Sequence, residues 1–205
     1  WGRRDRPLKS CLAWTEHCKI EDEELNKLRR EFGLLAEIIL LDPDGQQLAE
    51  GYKKDRTKDD FDRETNAQSL TGLRRFLASR TEARILLGGK REGFQGEMPG
   101  IVEEAVVSIE HGKPLFLAGG FGGATLDVIR VLSPENAEWF PEQQNNSADA
   151  QRVKKGLNRI QEAAKTMQRD VTSNGLTVEE NALLAATYRP SEIAALVSLG
   201  LGRML

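Results

Sequence analysis

Two glycine clusters carry most of the chemistry this 205-residue chain can offer. Gly88, Gly89 and Lys90 follow the apolar run 83–87, and Gly119, Gly120, Phe121, Gly122 and Gly123 follow a second apolar run, 114–118. Between them, Pro99 and Gly100 open a helical pattern that carries Glu103 and Glu104 in its early turns and continues through Ile109. Glycine permits positive φ and lets backbone N–H groups approach an anion with no Cβ in the way; a helix start adds unpaired donors and partial positive charge. The ligand such loops suit carries phosphate. Neither cluster is a Walker A sequence or a complete GxGxxG, so ATP hydrolysis is not expected.

The acids and the aromatic have two readings each. Glu103 and Glu104 could simply complement the positive field of the helix start, or accept hydrogen bonds from ribose hydroxyls. A helix start favours the ionised carboxylate, which suits a charge stabiliser better than a general acid and tilts the reading toward binding. Phe121 could stack on a base or cap the apolar layer beneath the sheet. Packing alone accounts poorly for so many glycines around it, so a bulky residue at Gly120 is expected to block a ligand and leave the fold intact.

Strands and helices must bring these residues together. The runs 83–87 and 114–118 read as strands, each followed by a glycine loop and a helix, which makes a β-α-β-α block with both loops at carboxyl strand ends. Upstream, 8–14 and 36–41 read as strands and 21–32 as an amphipathic helix, with acids at its amino end. Asp42-Pro43-Asp44-Gly45 is a turn. Residues 46–68 read as a solvated connection that could serve as a lid, and 69–79 as a helix with Leu70, Leu73 and Leu77 inward. After a turn-rich stretch, 151–170 has the apolar stripe of a docking helix. Asn174-Gly175 turns the chain, Thr177 and Glu180 have capping-box spacing, and Pro190 restarts a last helix.

Composition narrows the functional classes. Net charge is −3, with 30% charged and 39% hydrophobic residues, which fits a globular domain with a core and gives no bulk basic signal for nucleic acid. No run is long enough to cross a bilayer, and no signal peptide is visible. Cys11, His17 and Cys18 do not complete a metal set, with His111 the one other imidazole, so neither metal, cofactor nor disulfide framework is expected.

The order of apolar strand, Gly88-Gly89, loop, Glu103-Glu104 on the next helix, Lys113-Pro114 and apolar strand resembles the LOG half of the SLOG superfamily, named for the SMF/DprA and LOG proteins. LOG phosphoribohydrolases have strand, PGGxGTxxE, helix, KP, strand. Arg74, with Arg75 adjacent, matches the arginine that precedes their PGG strand. Nine residues separate Gly89 from Pro99, so a longer loop replaces the compact Gly-Thr turn. The combination of GGK, MPGIVEEA and AGGFGGA, with NGLT.EEN and LV..GL in the tail, is more similar to SLOG sensor domains attached to TIR effectors in bacterial defence proteins.

That resemblance implies an α/β fold: a Rossmann-like parallel sheet flanked by helices, with a helical carboxyl-terminal tail. Residues 1–140 would form the ligand-binding domain, lacking its first strand, and 141–205 a tail packed on it or at a subunit interface. The implied function is that of a cytoplasmic sensor, not itself an enzyme, for an ADP-ribose or cyclic ADP-ribose type signal. Its implied partners are other copies of itself and an attached TIR effector that would be the NAD hydrolase. The alternative is a LOG-like nucleoside monophosphate phosphoribohydrolase using Arg74 with Glu103 or Glu104. A DprA-like DNA-binding module is disfavoured by the mixed charges.

Overall fold

A computed structural model describes residues 6–49, 52, 61–142, 147–167 and 173–204. The chain divides into two compact units, Trp1–Leu77 and Ala78–Leu205.

In the first unit, β1 (Leu8–Leu12) and β2 (Ala36–Leu40) pair in parallel, Leu8 opposite Ala36 and Leu12 opposite Leu40. The crossover between them holds a single-turn helix, α1 (Trp14–His17), and α2 (Asp22–Glu31). Helix α2 has Asp22, Glu23 and Glu24 in its first turn and Arg29 and Arg30 in its last, opposing the helix dipole at both ends, with Leu25 as its buried anchor. The carboxylate of Asp42 accepts from the N–H groups of Asp44 and Gln46, which closes the expected turn. His17 is buried, its Nε2 at 2.8 Å from the Leu41 carbonyl.

Helix α3 (Arg63–Arg80) begins in this unit, where Leu73, Phe76 and Leu77 pack with Ile39 and Leu41. It starts six residues earlier than the apolar pattern indicated. The first turns are polar on every side and give no periodicity; the signal is Asp62, whose side chain accepts from the Thr65 N–H at 2.7 Å. That bond holds the Asp62 carboxyl below the usual carboxylate range. Of the expected connection or lid, 46–68, residues 50, 51 and 53–60 lie outside the described residues, and 63–68 are the first turns of α3 rather than a loop.

In the second unit, β3 (Arg84–Leu87) and β4 (Leu115–Ala118) are parallel, with α4 (Gly100–Glu110) as their crossover. A 3-10 turn, Gly119–Phe121, leads to α5 (Gly123–Leu132), followed by α6 (Ala150–Met167), α7 (Val178–Ala186) and α8 (Pro190–Met204). Strand β4 is buried throughout and alternates between two cores. Leu115 and Leu117 face the cluster built by α4, α5 and α6, whereas Phe116 and Ala118 pack with Leu184, Leu196 and Val197 of α7 and α8. Strand β3 is covered on one face only: Leu86 is buried, but Ile85 and Leu87 on its other face are 48% and 47% exposed.

The tail is tied to β4 by polar groups as well as apolar ones. Asn174, fully buried, donates to the Leu115 carbonyl at 2.8 Å and to Asn181 Oδ1 at 2.9 Å. The capping box of α7 forms as its spacing indicated, with Thr177 Oγ1 receiving the Glu180 N–H and Glu180 Oε2 receiving the Thr177 N–H. Glu180 also accepts both Nη groups of Arg203, near the end of α8. Upstream, a Cβ placed on Gly120 would lie 2.3 Å from the Thr187 carbonyl oxygen, and one on Gly119 2.6 Å from that of Ala185. The chain leaving α7 thus leans directly on the second glycine loop. Packing alone requires glycine at 119 and 120, so a bulky residue at Gly120 would disturb the fold itself.

Two outcomes follow. Gly120→Ala is expected to destabilise the protein by about 1–3 kcal/mol through overpacking, read as a lower denaturant midpoint; an unchanged midpoint would contradict the close approach. Arg203, and then the Thr177 N–H, hold the Glu180 carboxyl below its ordinary value. A lowered folded-state pKa gives stability that is present above the unfolded pKa and lost as pH falls through the folded one. Protection of the amides at the carboxyl end of α8, taken relative to the intrinsic exchange rate, should therefore fall as pH drops through the acidic end of the carboxylate range, and Glu180→Gln should abolish that pH dependence.

Candidate ligand-binding rim

The β3–β4 register puts Leu87 opposite Ala118, so the next residues, Gly88 and Gly119, begin neighbouring loops on one rim. Gly88 and Gly89 turn the chain at φ 59° and 95°, conformations that L side chains rarely adopt. A Cβ on Gly89 would lie 2.4 Å from Ile101 Cγ1 and 3.3 Å from Ala124 Cβ, so this residue sits between the first turns of α4 and α5. Two helix starts meet at one glycine pair.

Their donors are used differently. Ala124 N–H donates to the Gly89 carbonyl at 3.0 Å and Thr125 N–H to the Gly88 carbonyl at 2.8 Å, so the protein's own backbone occupies these first-turn donors of α5. Helix α4 has Pro99 at its N-cap with no side-chain cap, and its first recorded bond runs from Glu103 N–H to the Pro99 carbonyl at 3.0 Å. Among the described residues, the N–H groups of Gly100, Ile101 and Val102 have no partner. An anion at this rim is best served by α4.

Lys90 is exposed beside the pair, and Phe121 is 51% exposed, its Cβ 3.9 Å from where a Cβ on Gly88 would lie. An aromatic so open does not cap the core, which leaves its ring face available to a planar group. Gly122 and Gly123 adopt φ 67°, and a Cβ on Gly123 would meet the Gly89 carbonyl oxygen at 2.4 Å, again joining the two loops.

The long loop 90–98 is tethered along its length. Arg91 Nε donates to Asp127 Oδ2 at 2.8 Å, and Gly93 N–H donates to Asp149 Oδ2 at 2.9 Å. Arg152 donates to the Gly96 carbonyl and lies 4.1 Å from the Phe94 ring centroid. Burial pushes the Asp127 carboxyl up from its ordinary value, with Arg91 and then Arg130 pulling against it. Sequence reading missed Arg91, Asp127, Asp149 and Arg152. The available signal was Asp127, an acid in the mostly apolar stretch TLDVIRVL, which a cationic partner makes tolerable.

The two acids of α4 separate. Glu103 is buried, with Gly96 of the loop lying over its carboxylate: a Cβ there would be 3.5 Å from Oε2. Glu104 is half-buried and lies 4.0 Å from Arg84 Nη1 of β3. Arg74 stands on α3 in the first unit, half-buried. The rim of the second unit thus brings together Gly88, Gly89, Lys90, Pro99, Gly100 and Gly119 to Gly123, with Glu103 buried in the first turn of α4 under Gly96.

A cavity of about 190 Å³ lies elsewhere, between the amino end of β4 and the carboxyl end of α5, lined by Leu115, Leu117, Ile129, Ser133, Asn181 and Ala185 among others. Among the described residues no group of three or more His, Cys, Asp or Glu is placed to hold a metal ion, and no helix is long and apolar enough to cross a membrane.

No curated protein and no solved structure matches the chain. The SLOG cluster2 family matches residues 2–184, which takes in both strand pairs, both glycine loops and most of α7. By that match the chain belongs to the SLOG cluster2 family.

Proposed function

We propose that this chain is a sensor domain whose rim binds a nucleotide-derived signal of ADP-ribose or cyclic ADP-ribose type. The observation that carries the reading is the convergence of unpaired first-turn N–H groups of α4, the Gly88–Gly89 turn and the exposed ring of Phe121 at one rim. The N–H groups would take a phosphate oxygen, Lys90 would add a point charge, and Phe121 would stack on the base. Because Ala124 and Thr125 already donate to Gly88 and Gly89, one phosphate position, rather than two, suits this rim.

Ligand binding would control assembly of copies of the chain and of an attached effector, of TIR type by the resemblance of the glycine and tail motifs to defence sensors. Moving such a switch from mostly off to mostly on requires about 5.5 kcal/mol of differential binding between the two states. The glycine loop, packed against the chain that leaves α7, would be the lever for it.

The hydrolase reading is less well supported. Glu103 is covered by Gly96, and Glu104 is paired with Arg84, so neither carboxylate stands open at the rim to stabilise a sugar cation.

Calorimetry with ADP-ribose, cyclic ADP-ribose and NAD tests the sensor reading, with binding of at least one expected and none overturning it. Phe121→Ala should weaken that ligand by roughly 5- to 150-fold, the range expected for one lost base stack; undiminished affinity would remove the aromatic from the site. Incubation with AMP should release no adenine, and measurable free base would return the hydrolase reading to first place.

A further inference from the structure

The cavity between the amino end of β4 and the carboxyl end of α5 shares no residue with the rim and is lined by two kinds of surface. Leu115 and Leu117 of β4, Ile129 of α5 and Ala185 of α7, all buried, supply an apolar wall. The polar part includes Ser133, Glu135 and Asn136, in and just before the 3-10 turn Pro134–Ala137. Among the described residues these three side chains have no hydrogen-bond or ion-pair partner. Ser133 is only 7% exposed and stands at the N-cap of the turn, yet its hydroxyl caps nothing, because the Asn136 N–H takes the Ser133 backbone carbonyl at 3.0 Å. A buried hydroxyl left unpaired is destabilising, and folded proteins keep few of them. Asn181, also in the lining, is by contrast spent on Asn174 and on the carbonyls of Leu176 and Thr177.

We propose that this cavity is a second ligand site, taking a compact primary amine with an apolar body. Size sets the body. A cavity of about 150 Å³ holds a benzene ring, and this one, at about 190 Å³, has room for such a ring with a short amine arm. Charge sets the head. Among the described residues no Lys, Arg or His lines the cavity, whereas Glu135 brings a carboxylate without an ion pair and the carboxyl end of α5 adds partial negative charge. Arg130, in the last turn of α5, is turned to Asp127 and the Pro141 carbonyl. An ammonium carries three donors and no acceptor, and Ser133 Oγ, Asn136 Oδ1 and the Glu135 carboxylate are three acceptors without donors. Glu135 is exposed and Asn136 half-buried, so the head keeps part of its water shell while the ring displaces water from Leu115, Leu117 and Ile129. A carboxylate or phosphate would meet the like charge of Glu135 with no cation to offset it, so the ligand class of the rim does not suit this cavity.

Benzylamine is the probe, with benzyl alcohol and benzoate as neutral and anionic counterparts on the same ring. Titrated into the full chain at neutral pH, benzylamine is expected to shift the methyl resonances of Leu115, Leu117 and Ile129 with a millimolar dissociation constant, which is normal for so few atoms. Benzyl alcohol should bind more weakly and benzoate not at all. Ser133→Ala keeps the cavity and removes one acceptor; it should weaken benzylamine roughly ten-fold or more, while the thermal melt does not fall. Glu135→Gln, at an exposed position, should weaken benzylamine by roughly two- to five-fold and leave benzyl alcohol unaffected. Methyl resonances that do not move, benzoate binding as tightly as benzylamine, or undiminished binding to Ser133→Ala would overturn the proposal, the first leaving water as the occupant. None of these results bears on the rim, because the probes carry no phosphate and the two sites share no residue.

Discussion

The bonds from Ala124 and Thr125 to the carbonyls of Gly89 and Gly88 are the constraint on which the rest of the second unit depends. A helix start normally leaves its first N–H groups to water or a capping side chain, and here the turn that ends the neighbouring strand supplies the acceptors instead. The backbone of one βα unit thereby caps the helix of the next. That arrangement fixes where β3 ends, where α5 begins and how closely the two loops approach, and it is possible only because Gly89 and Gly123 lack the side chains that would hold them apart. It also decides which helix start stays open to an anion: α4, not α5.

A second constraint works from the carboxyl-terminal side. Asn174 takes up the Leu115 carbonyl in a fully buried site, where an unpaired amide or carbonyl would cost about 1–3 kcal/mol. This anchors the chain entering α7 to the start of β4, while Ala185 and Thr187, at its exit, rest on Gly119 and Gly120 at the strand's other end. The tail therefore spans β4 from one end to the other. Strand β4 gains a covered second face, and the glycine loop gains a rigid backing.

The tethered loop 90–98 gives the rim its own character. Arg91, Gly93 and Gly96 are each held by a partner on α5, α6 or the approach to α6, and the buried Asp127 is tolerable because two guanidinium groups reach it. A loop held at three points keeps Glu103 covered while the glycine pair and Phe121 remain open. The same fold element in a shorter form would uncover the acid. Loop length thus decides how far Glu103 stands from solvent at this rim.

Local sequence determined a good deal of this protein. Gly-rich turns after apolar runs, acids early in α2, the Thr177–Glu180 spacing and the Pro190 restart act through neighbouring residues, so their patterns translate directly into elements near the expected places. Membership of the SLOG superfamily was legible for the same reason, since the motifs that mark it are short and contiguous. Partners distant in the chain were not legible. No local pattern shows that Gly120 must clear Thr187, that Arg91 will find Asp127, that Glu104 turns to Arg84 while Glu103 goes beneath Gly96, or that Ile85 and Leu87 stay half exposed. Those outcomes depend on which surfaces meet once loops have closed, and only tertiary packing decides them, because the same glycine or carboxylate is compatible with a ligand or with a neighbouring helix until the neighbour arrives.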